Sequence, residues 1–374
     1  MKSPRHLAIT LLLLVSATST LKALQFQRAV NYPVGPSNPR AAAVADFNHD
    51  GIPDLAVVNT NSTQAVSILL GNGDGTFRAA VNYEAGGASQ PIAVGDFNSD
   101  GNLDLAIGNL SGSVSILFGN GDGSFQPPLT FPVGTCSCVL SAADLNHDNK
   151  VDLVIGDSSN NAVLVLLGNG DGTFAAPTSY PLSADPLGLA LADFNHDGNI
   201  DFAVTSGTRP NGTVTIFIGD GDGNFAEGNS YLVGKEPTSV AVGDVNNDGE
   251  PDLAVAGIDS DRIAVFLGTG DGTFTLASAW GTEMGSASIA LGAFTSNGEL
   301  DFTLANQTLN GVEVRVGNGK GGVGVGHSFY STGNGADFVV VADLNGDGAP
   351  DLVVANNGPD TVSVLINTGR ASKQ

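Results

Sequence analysis

FQRAVNYPVG, residues 26–35, returns almost residue for residue as FRAAVNYEAG at 77–86. The second copy closes a complete unit of alternating strands and turns, whereas the first stands alone ahead of any such unit. At the other end of the chain the last unit stops at VSVLINTGR, before its glycine turn and its final strand. The strand missing from the end is therefore present at the beginning. An open array has no use for this split, but a ring closed by its own two ends requires it.

The units between these ends are marked by an acidic nine-residue stretch. DFNHDGIPD starts at Asp46, DFNSDGNLD at Asp96, DLNHDNKVD at Asp144, DFNHDGNID at Asp193, DVNNDGEPD at Asp244 and DLNGDGAPD at Asp343, with a worn copy, AFTSNGELD, at Ala293. The starts lie 50, 48, 49, 51, 49 and 50 residues apart, and a period in this range signals a propeller, solenoid or array. Each period holds a small-residue run before the acidic stretch, a β-branched run after it such as DLAVV, an alternating run such as AVSILLG, and a turn such as GNGDGTF before a last, irregular strand. Short apolar runs broken by Asn-Gly and Asp-Gly read as antiparallel hairpins. Four strands, A to D, repeated seven times predict an all-β fold: a seven-bladed β-propeller of four-stranded antiparallel blades, its last blade closed by the N-terminal strand. The residue before each acidic stretch is Ala45, Gly95, Ala143, Ala192, Gly243, Gly292 or Ala342, small enough for strands that converge on an axis.

The chain has 374 residues and a formal charge of −24, with 41% hydrophobic and 14% charged residues. That balance excludes disorder, and the negative charge argues against nucleic acid or an anionic membrane as partner. Residues 1–23 carry Lys2 and Arg5 ahead of an apolar run from Leu7 to Val15 and then small polar residues. This is the layout of a secretory signal peptide, cleaved between 17 and 23, and the run is too short to span a bilayer. The expected organisation is a signal peptide at 1–23, a propeller at 24–369 and a C-terminal tail at 370–374, secreted, without membrane insertion and monomeric. Cys136 and Cys138 are the only cysteines; a disulfide across one residue is strained, so a plain turn is expected there.

Three carboxylates and an amide oxygen in nine residues repel unless water solvates them or a cation neutralises them; two carboxylates ~4 Å apart repel by ~1 kcal/mol even in bulk water. Calcium takes six to eight oxygens in flexible geometry, and D-x-[DN]-x-[DN]-G is a loop that presents them. The candidate ligands are Asp46, Asn48, Asp50 and Asp54 in the first loop, and Asp96, Asn98, Asp100 and Asp104 in the second. The third has Asp144, Asn146, Asp148 and Asp152, and the fourth Asp193, Asn195, Asp197 and Asp201. The fifth has Asp244, Asn246, Asp248 and Asp252, and the seventh Asp343, Asn345, Asp347 and Asp351. The candidate ligands include 18 of the 38 acidic residues, and about six Ca²⁺ ions are expected. Glycine at position six permits a positive φ, with Asn149 as its substitute in the third loop. An EF-hand would need flanking helices and a Glu at position twelve, where this chain has Val57 or Ile107. The sixth loop, with Ala293, Thr295 and Asn297 at ligand positions, is expected to hold no ion.

In these residues the chain resembles the FG-GAP/VCBS repeat family, whose propellers include the head of integrin α subunits. The D-x-N-x-D-G-x-x-D loop followed by DLAVxN and GNGDGTF carries the resemblance across about residues 25 to 369. It implies an extracellular seven-bladed propeller with calcium between strands A and B, those loops on one face and ligands often on the other.

No catalytic constellation stands out. Asp74, Asp122, Asp171, Asp220, Asp222 and Asp271 sit in glycine turns that favour Asp for conformational reasons, and His49, His147 and His196 occupy the variable fourth position of acidic loops, where side chains are expected to face solvent. Near the end of each D strand stands an aromatic: Tyr32, Tyr83, Phe131, Tyr180, Tyr231, Trp280 and Phe329. Packing between blades is the plain account of them, and a sugar-stacking ring the sharper one. The opposite face carries loops such as TNSTQ (60–64), SGTRPNG (206–212) and NNGPD (356–360), and the rare positive charges Arg209 and Lys235. The chain reads first as a non-catalytic binding or adhesion module for an extracellular protein or glycan, second as a carbohydrate-binding propeller, and third as a polysaccharide lyase.

Overall fold

The computed structural model describes residues 24–35, 38–60, 65–87, 89–134, 137–207, 210–258, 262–283 and 285–369. The expected signal peptide, the C-terminal tail, Cys136, Arg209 and residues 61–64 lie outside them, as does the side chain of Cys138. Seven four-stranded antiparallel sheets form the blades. Six of them are continuous in sequence, at 39–83, 89–132, 137–181, 186–234, 239–281 and 286–331, and the seventh joins 336–365 to Val30–Pro33. No helix among the described residues is long and apolar enough to cross a membrane.

The closing strand pairs in register with strand C of blade seven: Val30 opposite Val364, Asn31 opposite Ser363 and Tyr32 opposite Val362. Phe26 bridges Asn367 as Phe77 bridges Gly71 in blade one. The likeness of the two decapeptides extends to a buried polar relay. In blade one Asn59 Nδ2 donates to Ser67 Oγ (2.9 Å), which donates to Asn82 Oδ1 (2.7 Å). In blade seven Asn356 Nδ2 donates to Ser363 Oγ (2.8 Å), which donates to Asn31 Oδ1 (2.6 Å). The N-terminal strand thus satisfies the same buried hydroxyl as its in-line counterpart, which fixes both its register and its face.

Burial follows from position in the ring. Strand B is covered on both faces by neighbouring blades, and all six residues of Asp54–Asn59, Asp104–Asn109 and Asp351–Asn356 are buried. Such strands read as unbroken apolar runs rather than as alternation. Seven separate apolar cores result, one between each pair of blades. The core between blades seven and one joins Leu344, Val353 and Val364 to Leu55, Val57 and Leu69, with Tyr32 and Val34 of the closing strand packed among them. Strand A of blade seven lies beside strand A of blade one, so the ring is closed.

The small residues that end the A strands have a more local cause than taper alone. A Cβ on Gly95 would stand 2.9 Å from Val151 of the next blade's loop, and one on Gly243 would stand 2.8 Å from Leu300. At the other end of strand A the register slips by a residue in six blades, as between Pro39 and Ala41 or between Ala336 and Phe338. Bulges of this kind bend a strand and re-aim its side chains, here at the mouth of the central channel.

Candidate metal centres

The acidic loops all lie at one end of the ring, where strand A turns into strand B. In the first loop Asp46 Oδ2 accepts from Gly51 N (2.8 Å) and its Oδ1 from Asp50 N (3.2 Å). Asn48 Oδ1 accepts from Asp50 N (3.0 Å), and Asp50 Oδ1 from Ile52 N (2.9 Å). The same pattern recurs in the other five intact loops, for example at Asp96 and at Asp244. Gly51 has φ 78° and Asn149 has φ 63°, as a left-handed sixth position requires.

Position nine does something different. Asp54 is fully buried; its Oδ2 accepts from Phe47 N (3.0 Å) and its Oδ1 from Gly71 N (2.8 Å). It therefore pins the acidic loop to the glycine turn between strands C and D. All seven blades make this tie, through Asp104, Asp152, Asp201, Asp252, Asp301 and Asp351, with Asn367 in the glycine's place in blade seven. In blade one the glycine is needed because a Cβ at Gly71 would lie 2.3 Å from the Pro53 carbonyl oxygen. The sixth blade has lost the acidic residues at positions one and five yet keeps Asp301, so the tie is structural in its own right. Replacing Asp301 with Ala strands the N–H groups of Thr295 and Gly317, each worth about 1–3 kcal/mol when left unpaired, whereas Phe294 N–H keeps the Gly292 carbonyl at 3.1 Å. The expected loss, read from urea unfolding, is about 2–6 kcal/mol, with no change in the number of calcium ions bound.

Burial pushes the position-nine carboxyls up from their ordinary range, to about 6 for Asp104, Asp252 and Asp351; their two backbone N–H donors pull the other way, and the charges at positions five and one push them further up. Asp301 is also raised by burial, but Coulomb repulsion from loop carboxylates is not among its causes. A carboxyl whose pKa is raised on folding binds more protons folded than unfolded, so its contribution to stability is full below its ordinary pKa near 4 and is lost as pH rises through about 6. In metal-free buffer the protein is therefore expected to melt at a higher temperature at about pH 4.5 than at about pH 7. A melting temperature that rises with pH over that interval contradicts this.

Position four departs from expectation. His49, Ser99, His147, His196 and Asn247 have φ between 57° and 61°, a left-handed conformation in which Asn and His are enriched. The histidines do not simply face solvent. His49 Nε2 meets Asn102 Oδ1 at 3.2 Å, His147 Nε2 meets Asn199 Oδ1 at 3.0 Å, and His196 Nε2 meets Glu250 Oε2 at 2.5 Å. Asn247 donates to Glu299 in the same way. Position four of one loop thus reaches position seven of the next, and these four contacts tie neighbouring loops together. Both partners of the His196–Glu250 pair are substantially exposed, so His196→Ala is expected to cost under about 1 kcal/mol.

The turn aspartates hold their turns. Asp74 Oδ1 accepts from the backbone N (3.0 Å) and hydroxyl (2.5 Å) of Thr76, which hold its carboxyl below the usual range. The D-strand aromatics pack between blades: Tyr32 on Phe77, Tyr83 on Phe125, Tyr180 on Phe225 and Tyr231 on Phe274, with centroids 5.6–6.0 Å apart. Trp280 packs on Phe302 at 4.9 Å. In blade six the register places Tyr330 opposite Val312, where the other blades have their aromatic, and Tyr330 meets Phe26 at 5.1 Å. Phe329 is one residue out of that register and 40% exposed. With the rings engaged in packing, a stacking site in every blade loses its basis. Blade six also breaks the pattern in its C strand: Glu313 stands where Ser67 and Ser363 stand in their blades, 4% exposed and paired with Arg315 at 2.6 Å.

The donors of each intact loop, three carboxylates and an amide oxygen, fit a hard cation such as calcium rather than a soft one. In this structure they are turned onto backbone N–H groups, and no group of three His, Cys, Asp or Glu side chains among the described residues stands in ligand geometry. In the sixth loop Thr295 Oγ1 donates to Asn297 Oδ1 at 2.6 Å, a closure that needs no counter-charge.

Ring, blade and loop together define a seven-bladed β-propeller built of acidic-loop repeats, a fold that suggests a binding or interaction module. The FG-GAP-like repeat family matches residues 46–107, 96–155, 144–204, 193–255 and 244–303, and the chain belongs to that family. No curated protein matches it. Among solved structures it is similar to BBS1N from a complex with ARL6DN, at 14% identity over 93% of this chain and 98% of that one, TM-score 0.64. It is also similar to the Dos1 propeller, at 12% identity over 92% and 96%, TM-score 0.56. A third is an Agrocybe aegerita lectin that recognises non-reducing terminal N-acetylglucosamine, at 20% identity over 79% and 80%, TM-score 0.54. At these identities the likeness is one of fold.

Proposed function

We propose that the protein is a secreted, non-catalytic, calcium-binding propeller that serves as an extracellular binding or adhesion module and acts as a monomer. One contrast carries the calcium reading. Six loops place acids at positions one and five where their charge raises the buried acid at position nine, as Asp96 and Asp100 do for Asp104, whereas the sixth closes through neutral Thr295 and Asn297. The side chains at positions one, three, five and nine would hold the ion, with the carbonyl at position seven. Bound calcium would supply the positive charge that offsets the clustered carboxylates.

Extracellular modules bind calcium with Kd on the order of 10⁻⁴ to 10⁻³ M. Calorimetric titration of metal-free protein is expected to give about six sites in that range. A chain that takes up no calcium at about 5 mM overturns the reading. The lectin among the similar folds supports carbohydrate as one class of partner, and saturable binding on a glycan array would select it over a protein partner.

A further inference from the structure

At the end of the ring opposite the acidic loops, the starts of the seven A strands surround a cavity of about 460 Å³. That volume lies in the range of small-molecule pockets, roughly 300–1,000 Å³. Its wall mixes apolar side chains, Val139, Leu187 and Ile258 from blades three, four and five, with the hydroxyl residues Ser141, Thr238, Ser239 and Ser288. One corner is charged, and it forms where the two ends of the repeat array meet. Arg40 of blade one donates through Nη1 to Asp337 Oδ2 of blade seven at 2.8 Å. Gln307 Nε2 of blade six donates to Asp337 Oδ1.

The corner is asymmetric in what it leaves open. Asp337 is 8% exposed and both its oxygens are engaged, so it has little to offer a cationic ligand. The Arg40 side chain is 38% exposed, its Nη2 has no partner among the described residues, and it is the only Lys or Arg among the described lining residues. The free charged group of the cavity is thus a hydrogen-bond donor. The acidic loops do not cancel it: strand A spans seven residues from Pro39 to Ala45, roughly 20 Å at ~3.3 Å per residue, more than two Debye lengths at physiological salt, about 8 Å each.

We propose that the channel mouth is a binding site for a carboxylate carried on a compact apolar body, with the carboxylate on Arg40 and the body against Val139, Leu187 and Ile258. Asp337 and Gln307 are positioning residues that hold the guanidinium at the rim. The same chemistry is presented by a free small acid and by the C-terminal residue of a partner chain. The inference rests on the reading of the protein as a binding module and is independent of calcium.

The probe is 4-(trifluoromethyl)benzoate, followed by fluorine NMR line broadening on the full chain, with the matching benzamide as its neutral twin. The acid is expected to bind and the amide to bind about tenfold more weakly, the margin of one charge-assisted contact. Leu187→Trp fills the mouth without touching the ion pair and is expected to abolish broadening. Arg40→Lys keeps the charge but loses the planar fork and is expected to weaken binding several-fold at unchanged melting temperature. Acetyl-Gly-Phe as free acid, against its amide, tests the chain-end source, and a preference for either acid supports the site. Absence of binding by both acids, equal binding of acid and amide, or binding that survives Leu187→Trp overturns it. Calcium stoichiometry, measured separately, is unaffected by any of these results.

Discussion

Deletion of residues 24–35 abolishes the folded ring: the truncated chain is expected to show no cooperative unfolding transition. The segment contributes Phe26, packed edge-on against Phe294 and Tyr330, and Tyr32 and Val34 in the core between blades seven and one. Burying three such side chains is worth up to about 1.5–3 kcal/mol each. The deletion also removes the register with Thr361–Val364 and the acceptor for Ser363. The sum rivals the whole net stability of a folded domain, about 5–15 kcal/mol. A permuted chain supplies the control. Gly71 and Phe77 bridge across residues 72–76, so Thr368, Gly369 and three added residues leading into Phe26 reproduce that span. The permuted chain is expected to unfold cooperatively near the temperature of the parent. A deletion variant that melts like the parent would show that the ring closes without its N-terminal strand.

Calcium removal has the second largest expected effect. At about 2 mM calcium and Kd between 10⁻⁴ and 10⁻³ M, each site stabilises the folded state by about 0.6–1.8 kcal/mol. Six sites then give on the order of 4–11 kcal/mol, enough to move the melting temperature by many degrees. Chelation is expected to produce that drop, and added calcium to reverse it. Magnesium is expected to restore little, because it demands near-ideal octahedral geometry and sheds water reluctantly. Unchanged melting in excess chelator would leave the acidic loops as solvated turns. The contacts from His49, His147, His196 and Asn247 join loop one to loop two and loops three to six in a row, so loss at one of these joined loops is expected to loosen the next.

The period, the four strands of each unit, the closure of the last blade by residues 26–35 and the left-handed sixth position of each loop are all legible in the order of residues. These are consequences of local backbone preference and of a pattern repeated often enough to stand out. The rest arises only when the folded blades meet. The fully buried tie made by Asp54 and its counterparts could be read from sequence as a ligand alone, because its second partner, Gly71, belongs to another turn. The reach of His196 to Glu250 depends on the spacing of neighbouring blades. Tyr330 takes the inter-blade position from Phe329 through a one-residue register that composition does not reveal. Arg40 and Asp337 lie 297 residues apart and become neighbours only because the ring closes. Contacts between blades are set by ring geometry, and no local stretch of the chain encodes them.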